Sequence, residues 1–243
     1  MTAIAALLRS VANASRASEE WAKGDDGWQS LVPSGVKVTR ETAMQLSAVW
    51  ACVRILSDTV STLPVGTFRR EEDVRIPTPR PRWLDAPNPD QTRVEFVEQQ
   101  VGSLLLDGNA FILTVRDRFG DIVDLWNVHP DLVEPKRVGG QVVYEVRDPD
   151  TGQVTVLSRA QMFHIPCFAW PGQLRGVSPL EHARRVIGLG LASQEYAERF
   201  YGQGMHGAGI IESKEPLTPD QGKELKRDFT RLAHGMANAH LPV

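Results

Sequence analysis

The sequence predicts an α+β protein: an antiparallel β meander with packed helices, then a long helix and the start of a small α/β region. Apolar residues recur at helical spacing in two stretches before residue 107 and again after residue 178. Between about residues 110 and 165 the apolar period falls to two. The strands defined there follow one another through hairpin-length turns rather than crossover helices, which argues against a parallel sheet.

Residues 1–39 hold a short amphipathic start, then Lys23-Gly24-Asp25-Asp26-Gly27 and Val32-Pro33-Ser34-Gly35, and read as a flexible arm. Four later segments fit the reciprocal capping box, in which a hydroxyl and an acid or amide satisfy two orphan N–H groups. They are Thr42-x-x-Gln45, Thr92-x-x-Glu95, Ser178-x-x-Glu181 and Thr218-x-x-Gln221. The first helix, about 42–62, carries Leu46, Val49, Val53, Leu56, Val60 and Leu63 on one stripe and stops at Pro64. That stripe predicts a shared core of Val49, Val53, Leu56 and Val60. The second helix, about 92–106, shows Val94, Val97, Val101 and Leu104 and breaks at Asp107-Gly108-Asn109. Between them, Arg69–Pro89 reads as a strand end followed by an extended connector.

Ala110–Arg116 and Asp121–Asn127 form a hairpin across Asp117-Arg118-Phe119-Gly120. Leu132–Arg137 and Gln141–Arg147 flank Gly139-Gly140, Gln153–Leu157 follows, and Phe163-His164-Ile165 is a last short strand. The whole of 110–165 is expected to pack on the first two helices. A loop rich in Pro and Gly then leads into a long helix, about 178–201, with Pro179 in its first turn. Ile210-Ile211 reads as a brief strand and about 218–234 as a final helix.

Charge and motifs exclude several functions. The chain has 243 residues and a formal net charge of −3, unlike a protein that grips nucleic acid through many phosphate contacts. No apolar run reaches the roughly 18 residues of a membrane span, and no signal peptide is expected. Cys52 and Cys167 read as reduced and buried, in a reducing compartment. Gly202-Gln203-Gly204-Met205-His206-Gly207 is a literal G-x-G-x-x-G, but it follows a helix and precedes a strand. A dinucleotide site needs the reverse order, so these glycines are read as a helix terminus. His164-x-x-Cys167 lacks the second pair a zinc site requires. No catalytic, cofactor or metal residue is expected.

Several segments, in order, resemble the tailed-bacteriophage portal family. Ser47-Ala48-Val49-Trp50-Ala51-Cys52-Val53-Arg54 through Leu63-Pro64-Val65 is similar to that family's first wing helix. Asn88-Pro89 with Thr92, then Glu95-Phe96 and Gly108-Asn109-Ala110-Phe111, matches a later helix and turn. His129-Pro130, Phe163-His164-Ile165, Gly176-Val177-Ser178-Pro179-Leu180, Phe200-Tyr201-Gly202-Gln203-Gly204 and Leu217-Thr218-Pro219 continue the series. The likeness covers roughly residues 40–243.

The resemblance implies a wing-like domain over 40–175, a stem-like helix over 176–204 and a partial clip-like region over 205–243. It implies a structural subunit of a homo-oligomeric ring, commonly of twelve, at the capsid vertex. Double-stranded DNA would pass through that ring during packaging and ejection. Terminase, the major capsid protein and tail adaptor proteins would be its partners, with the virion its location and the host cytoplasm its place of assembly. Arg184, Arg185, Glu195, Glu198 and Arg199 on the long helix are the candidate channel or subunit-interface residues. Family members continue with the rest of the clip, a second stem helix, a tunnel loop and a crown, so the chain is expected to be a fragment. Another connector or capsid assembly protein, or a hydrolase using His164 or His129, are the alternative readings.

Overall fold

A computed structural model describes Leu7, residues 35–203 and residues 218–233. Of the arm expected over 1–39, residues 1–6 and 8–34 lie outside the described residues, whereas Val38 is buried and Thr39 caps the first helix; the strand expected at Ile210-Ile211 and the glycine motif from Gly204 onward also lie outside.

The first helical stretch is two helices, α1 (Arg40–Met44) and α2 (Ser47–Thr62). The capping box that opens it is Thr39 with Thr42, not Thr42 with Gln45. Thr39 Oγ1 accepts from the Thr42 amide at 3.2 Å, and Thr42 Oγ1 accepts from the Thr39 amide at 2.7 Å. Helix initiation one turn earlier leaves Gln45 as a C-cap, and the chain restarts at Ser47. Before Pro64, the C-cap Leu63 is already extended, as the ring of a following proline requires.

The region after α2 departs from the expected connector. Phe68–Glu71 (β1) and Val74–Pro77 (β2) pair as a hairpin whose turn places Glu72 at φ 51°. Arg82–Asp85 (α3) is a single helical turn. Arg93–Asp107 (α4) then starts with the expected box: the Thr92 amide donates to Glu95 Oε2 at 2.8 Å. It ends at Gly108 in the left-handed region, φ 73°.

All strand pairing among the named strands is antiparallel, but the region 110–165 divides into two three-stranded sheets. One has the order β4-β3-β8 (Ile122–Val128, Asn109–Arg116, Met162–Pro166), the other β5-β6-β7 (Val133–Val138, Gln141–Arg147, Val154–Ser158). The last strand leaves the meander and returns to β3, in a register that sets Phe111 opposite His164.

The period-2 pattern of β3 explains the layering. Phe111 and Leu113 join Val128, Val133, Tyr144, Val146, Leu157 and Met162 in a core between the sheets, where Leu7 is also buried. Ala110 and Ile112, buried too, project to the other face. On that face Asn127 of β4 donates to the Phe96 carbonyl of α4 at 3.2 Å and to Gln99 Oε1 at 2.8 Å. Helix α2 packs on α4, one layer further out.

The roll of α2 overturns the expected apolar core. Its buried residues are Ser57 and Ser61, whereas Leu56 is 48% exposed and Val60 41%. Val49 and Val53 are half-buried. A helix has one buried arc, and here contact with α4 centres that arc on the serines, turning the leucine and valine stripe onto its flank. Cys52 lies on the same turned-out side and is exposed, as is Cys167, contrary to the buried thiols expected.

Candidate functional site

The long helix α5 (Pro179–Gln203) carries the candidate residues, and a compact junction fixes where it starts. Gly108 and Asn109 lie against the segment 176–178. A side chain on Gly108 would place its Cβ 2.2 Å from the Val177 carbonyl oxygen, and one on Gly176 would come within 2.3 Å of the Gly108 oxygen. Only glycines allow this approach of backbone to backbone.

Asn109, 1% exposed, is the hub of the junction. Its Nδ2 donates to the Asp107 and Gly176 carbonyls, each at 3.0 Å, and its Oδ1 accepts from the Gly176 amide at 2.6 Å. With Oδ1 fixed as an acceptor, the His164 Nε2 at 3.0 Å must be the donor. The His164 ring stacks on Phe111 at 4.2 Å between centroids. Burial, then the nearby charges of Arg175 and Arg159, depress its pKa to about 4. This imidazole is neutral near pH 7, with a carboxamide, not a carboxylate, on its Nε2. Ser178 holds the helix start by donating to the Leu106 carbonyl at 2.7 Å while accepting from the Glu181 amide at 3.2 Å.

Two arginines extend the junction. Arg40 pairs with Asp107 at 2.7 Å and with both oxygens of Asp131 at 2.6 and 2.7 Å. Burial acts to raise the Asp131 pKa, but Arg40, aided by His129 and Arg175, outweighs it and holds the carboxyl below its ordinary value. Arg175 donates to the Val133 carbonyl at 2.8 Å. Neither arginine was a sequence-level candidate; Arg40 lies 91 residues from Asp131, and no local pattern links them. The Gly108-Asn109 turn and Gly176 were the visible signals.

Beyond the junction, Leu180 and Ile187 pack with Val38 and Ala43, and Leu191 lies against that cluster. The structure separates the candidate residues into two groups. Arg184, with 15% of its side chain exposed, lies 3.6 Å from Glu181, while Arg185 is exposed. One to two turns past Leu191, Glu195 pairs with Arg199, and Gln194 donates to Glu198 at 3.0 Å. A second apolar stripe went unnoticed in the sequence. Val186, Leu189, Tyr196 and Phe200 stand exposed, with Ser193 between them, at alternating three- and four-residue spacing. Tyr196 and Phe200 stack at 6.2 Å. Helix α6 (Pro219–Ala233) opens with the expected box, the Thr218 amide donating to Gln221 Oε1 at 3.0 Å. Among the described residues no cluster of three His, Cys, Asp or Glu side chains is arranged to hold a metal. No described helix is long and apolar enough to cross a membrane.

The family model described as "Phage portal protein" matches residues 47–243. The chain is 35% identical over 228 residues to a probable portal protein of Streptomyces phage phiC31, covering 87% of this chain and 48% of that one. It is 29% identical to the portal protein of Enterobacteria phage HK97, covering 84% of this chain and 49% of the relative. The chain thus spans about half the length of these relatives. The fold is similar to a neck structure of an empty gene transfer agent particle, TM-score 0.58 at 19% identity, over 84% of this chain and 57% of that one. It is also similar to an HK97-family phage portal protein from Corynebacterium diphtheriae, TM-score 0.54 at 19% identity, over 83% and 64% of the two chains.

Proposed function

Since this chain belongs to the phage portal protein family, we propose that it is a structural subunit of the portal ring through which a phage genome enters and leaves the capsid. The observation that carries the reading is the family match along nearly all of the described structure. Its similarity to neck chains solved with six- and twelve-fold symmetry supports a cyclic assembly. A closed ring needs two different faces that meet around the axis, and this chain exposes apolar stripes on both α2 and α5.

In this reading residues 40–175 are the wing, 176–204 the stem helix and 205–243 part of the clip. Terminase acts on the ring during packaging in the host cytoplasm, and the capsid shell and the tail adaptor hold it in the virion. Helix α5 borders the passage. Over its whole length the charged side chains are balanced, Glu181, Glu195 and Glu198 against Arg184, Arg185 and Arg199. Balance suits a surface along which DNA must slide, because each extra phosphate contact deepens binding and its salt dependence.

Electron microscopy of the purified chain, and of the longer open reading frame where one continues it, tests the assembly. Closed rings are the expected result, and a monodisperse monomer in both preparations rejects the reading. Packaging assays on particles carrying Arg185→Glu test the passage: intact rings with altered packaging support it, and intact rings with normal packaging remove Arg185 from the channel.

A further inference from the structure

A cleft of about 360 Å³ opens between α2 and α4 at Trp50, Val53 and Ser57 on one helix and Glu95, Glu98 and Gly102 on the other. Its apolar part is incompletely covered, for Trp50 remains 54% exposed. Ser57, 4% exposed, has an Oγ with no hydrogen-bond partner among the described residues. A buried hydroxyl left so costs stability unless something supplies a partner.

The rim is acidic. Glu95 and Glu98 line it with Asp58 close by, and Arg54, the one cation among the described lining residues, lies 2.9 Å from Asp58 and 3.3 Å from Glu98. The Thr92 backbone amide, then its hydroxyl, bond Glu95 and hold its carboxyl below the ordinary range, so it stays charged. The cleft therefore suits a guest that is apolar at its tip and cationic beside it.

The chain displays such a guest. At the β3–β4 turn Phe119 is 75% exposed, with the Arg118 guanidinium 4.7 Å from its ring centre. The tip is held in shape without help from any core. Asp117 Oδ1 accepts from the Phe119 and Asp121 amides at 2.8 and 3.0 Å, and Arg116 donates to the Gly120 carbonyl at 2.8 Å. An aromatic–arginine pair carried on a turn whose backbone is already fixed binds at reduced ordering cost and has the composition of interface hot spots.

We propose that the α2–α4 cleft receives the Arg118–Phe119 tip of a neighbouring copy of this chain, an inference that rests on the ring reading above. Phe119 fills the space beside Trp50 and Val53, and Arg118 meets Glu95 and Glu98. The contact is head-to-tail, the type a ring requires.

Sedimentation of the wild-type chain against Arg118→Glu and Phe119→Ser is the first test, with circular dichroism to check that each exposed-site variant stays folded. Each should weaken self-association by roughly tenfold or more, and Glu98→Arg should restore association to Arg118→Glu. A second test places cysteines at Glu98 and Phe119 in a Cys52→Ser, Cys167→Ser background. An intermolecular ladder on oxidation is expected only when both are present. Wild-type oligomers that persist unchanged in the variants overturn this contact and leave the ring reading standing. So does a photocrosslinker at Trp50 that captures residues 1–34 of its own chain. A wild-type chain that stays monomeric at every concentration overturns this contact, and the ring reading falls with it only where the longer open reading frame stays monomeric too.

Discussion

The two parts of helix α5 are built by opposite rules. Around its start the Asn109 carboxamide is bonded at both its nitrogen and its oxygen, the packing leaves no room for a Cβ at Gly108 or Gly176, and Leu180 and Ile187 are buried. Two turns beyond Ile187 the same helix shows Tyr196, Phe200 and Tyr201 to solvent, beside the surface pair of Glu195 and Arg199. The first arrangement stabilises the single chain. The second contributes little to it and instead offers surface to something else. One helix thus reports both on folding and on assembly, and variants can separate the two.

The largest effect is expected at Gly108. Gly108→Val combines a strained left-handed φ with a Cβ that meets the Val177 backbone, and should lower unfolding free energy by roughly 4 kcal/mol. A denaturant midpoint unchanged within error would show that the two segments do not touch. Asn109→Ala removes four hydrogen bonds in a buried place and should cost about 2–4 kcal/mol by the same measurement.

Acid should act on the same junction. The folded-state pKa of His164, about 4, lies below its ordinary value near 6.5, so the unfolded chain binds the proton more tightly. The stability it contributes is complete above pH 6.5 and is lost as pH falls toward 4. Asp131, also depressed, adds a loss in the same direction as pH falls through the acid range. His164→Gln, which cannot titrate but keeps an N–H donor, should flatten the unfolding midpoint between pH 6.5 and 4; a slope like that of the wild type would contradict this.

The smallest effect should come from the outer faces. Leu56→Ala is expected to change stability by less than about 1 kcal/mol, against roughly 3–5 kcal/mol for Phe111→Ala between the sheets. Calorimetry giving Leu56→Ala a loss as large as that of Phe111→Ala would mean that α2 is buried within the monomer.

What was legible in the sequence was what is decided locally. The boxes at Thr92 and Thr218 and the left-handed stop at Gly108 depend on residues within one turn. The roll of α2 was not legible, because α4 chooses the buried arc; Leu56 and Val60 look like core until Ser57 and Ser61 are seen facing α4. The β1–β2 hairpin was hidden because Glu72 takes a positive φ that glycine or asparagine usually signals. The division into two sheets follows from β8 pairing with β3, a contact between residues as far apart as Asn109 and Pro166. For the candidate site, the charges of Arg184, Arg185, Glu195, Glu198 and Arg199 could be read directly. Their surroundings could not: Arg184 is tucked beside Glu181, and the aromatic stripe of Tyr196 and Phe200 is exposed.

The bonds between Asn109 and Gly176 span 67 residues of chain, and that separation has a kinetic consequence. Closing so long a loop in one step carries a large entropic penalty. Once β8 has paired with β3, Pro166 sits opposite Asn109 and only about ten residues remain to be closed. The logarithmic dependence of closure entropy on loop length makes that second step easier by about 1.7 kcal/mol. The sheet should therefore form before the junction, which is then absent from the rate-limiting state for folding. Stopped-flow refolding of Gly176→Ala, whose Cβ would meet the Gly108 carbonyl oxygen, should match the wild type in rate, while its unfolding is accelerated by nearly the whole stability loss. Long residence in the native state, in this view, is governed by a latch that closes last.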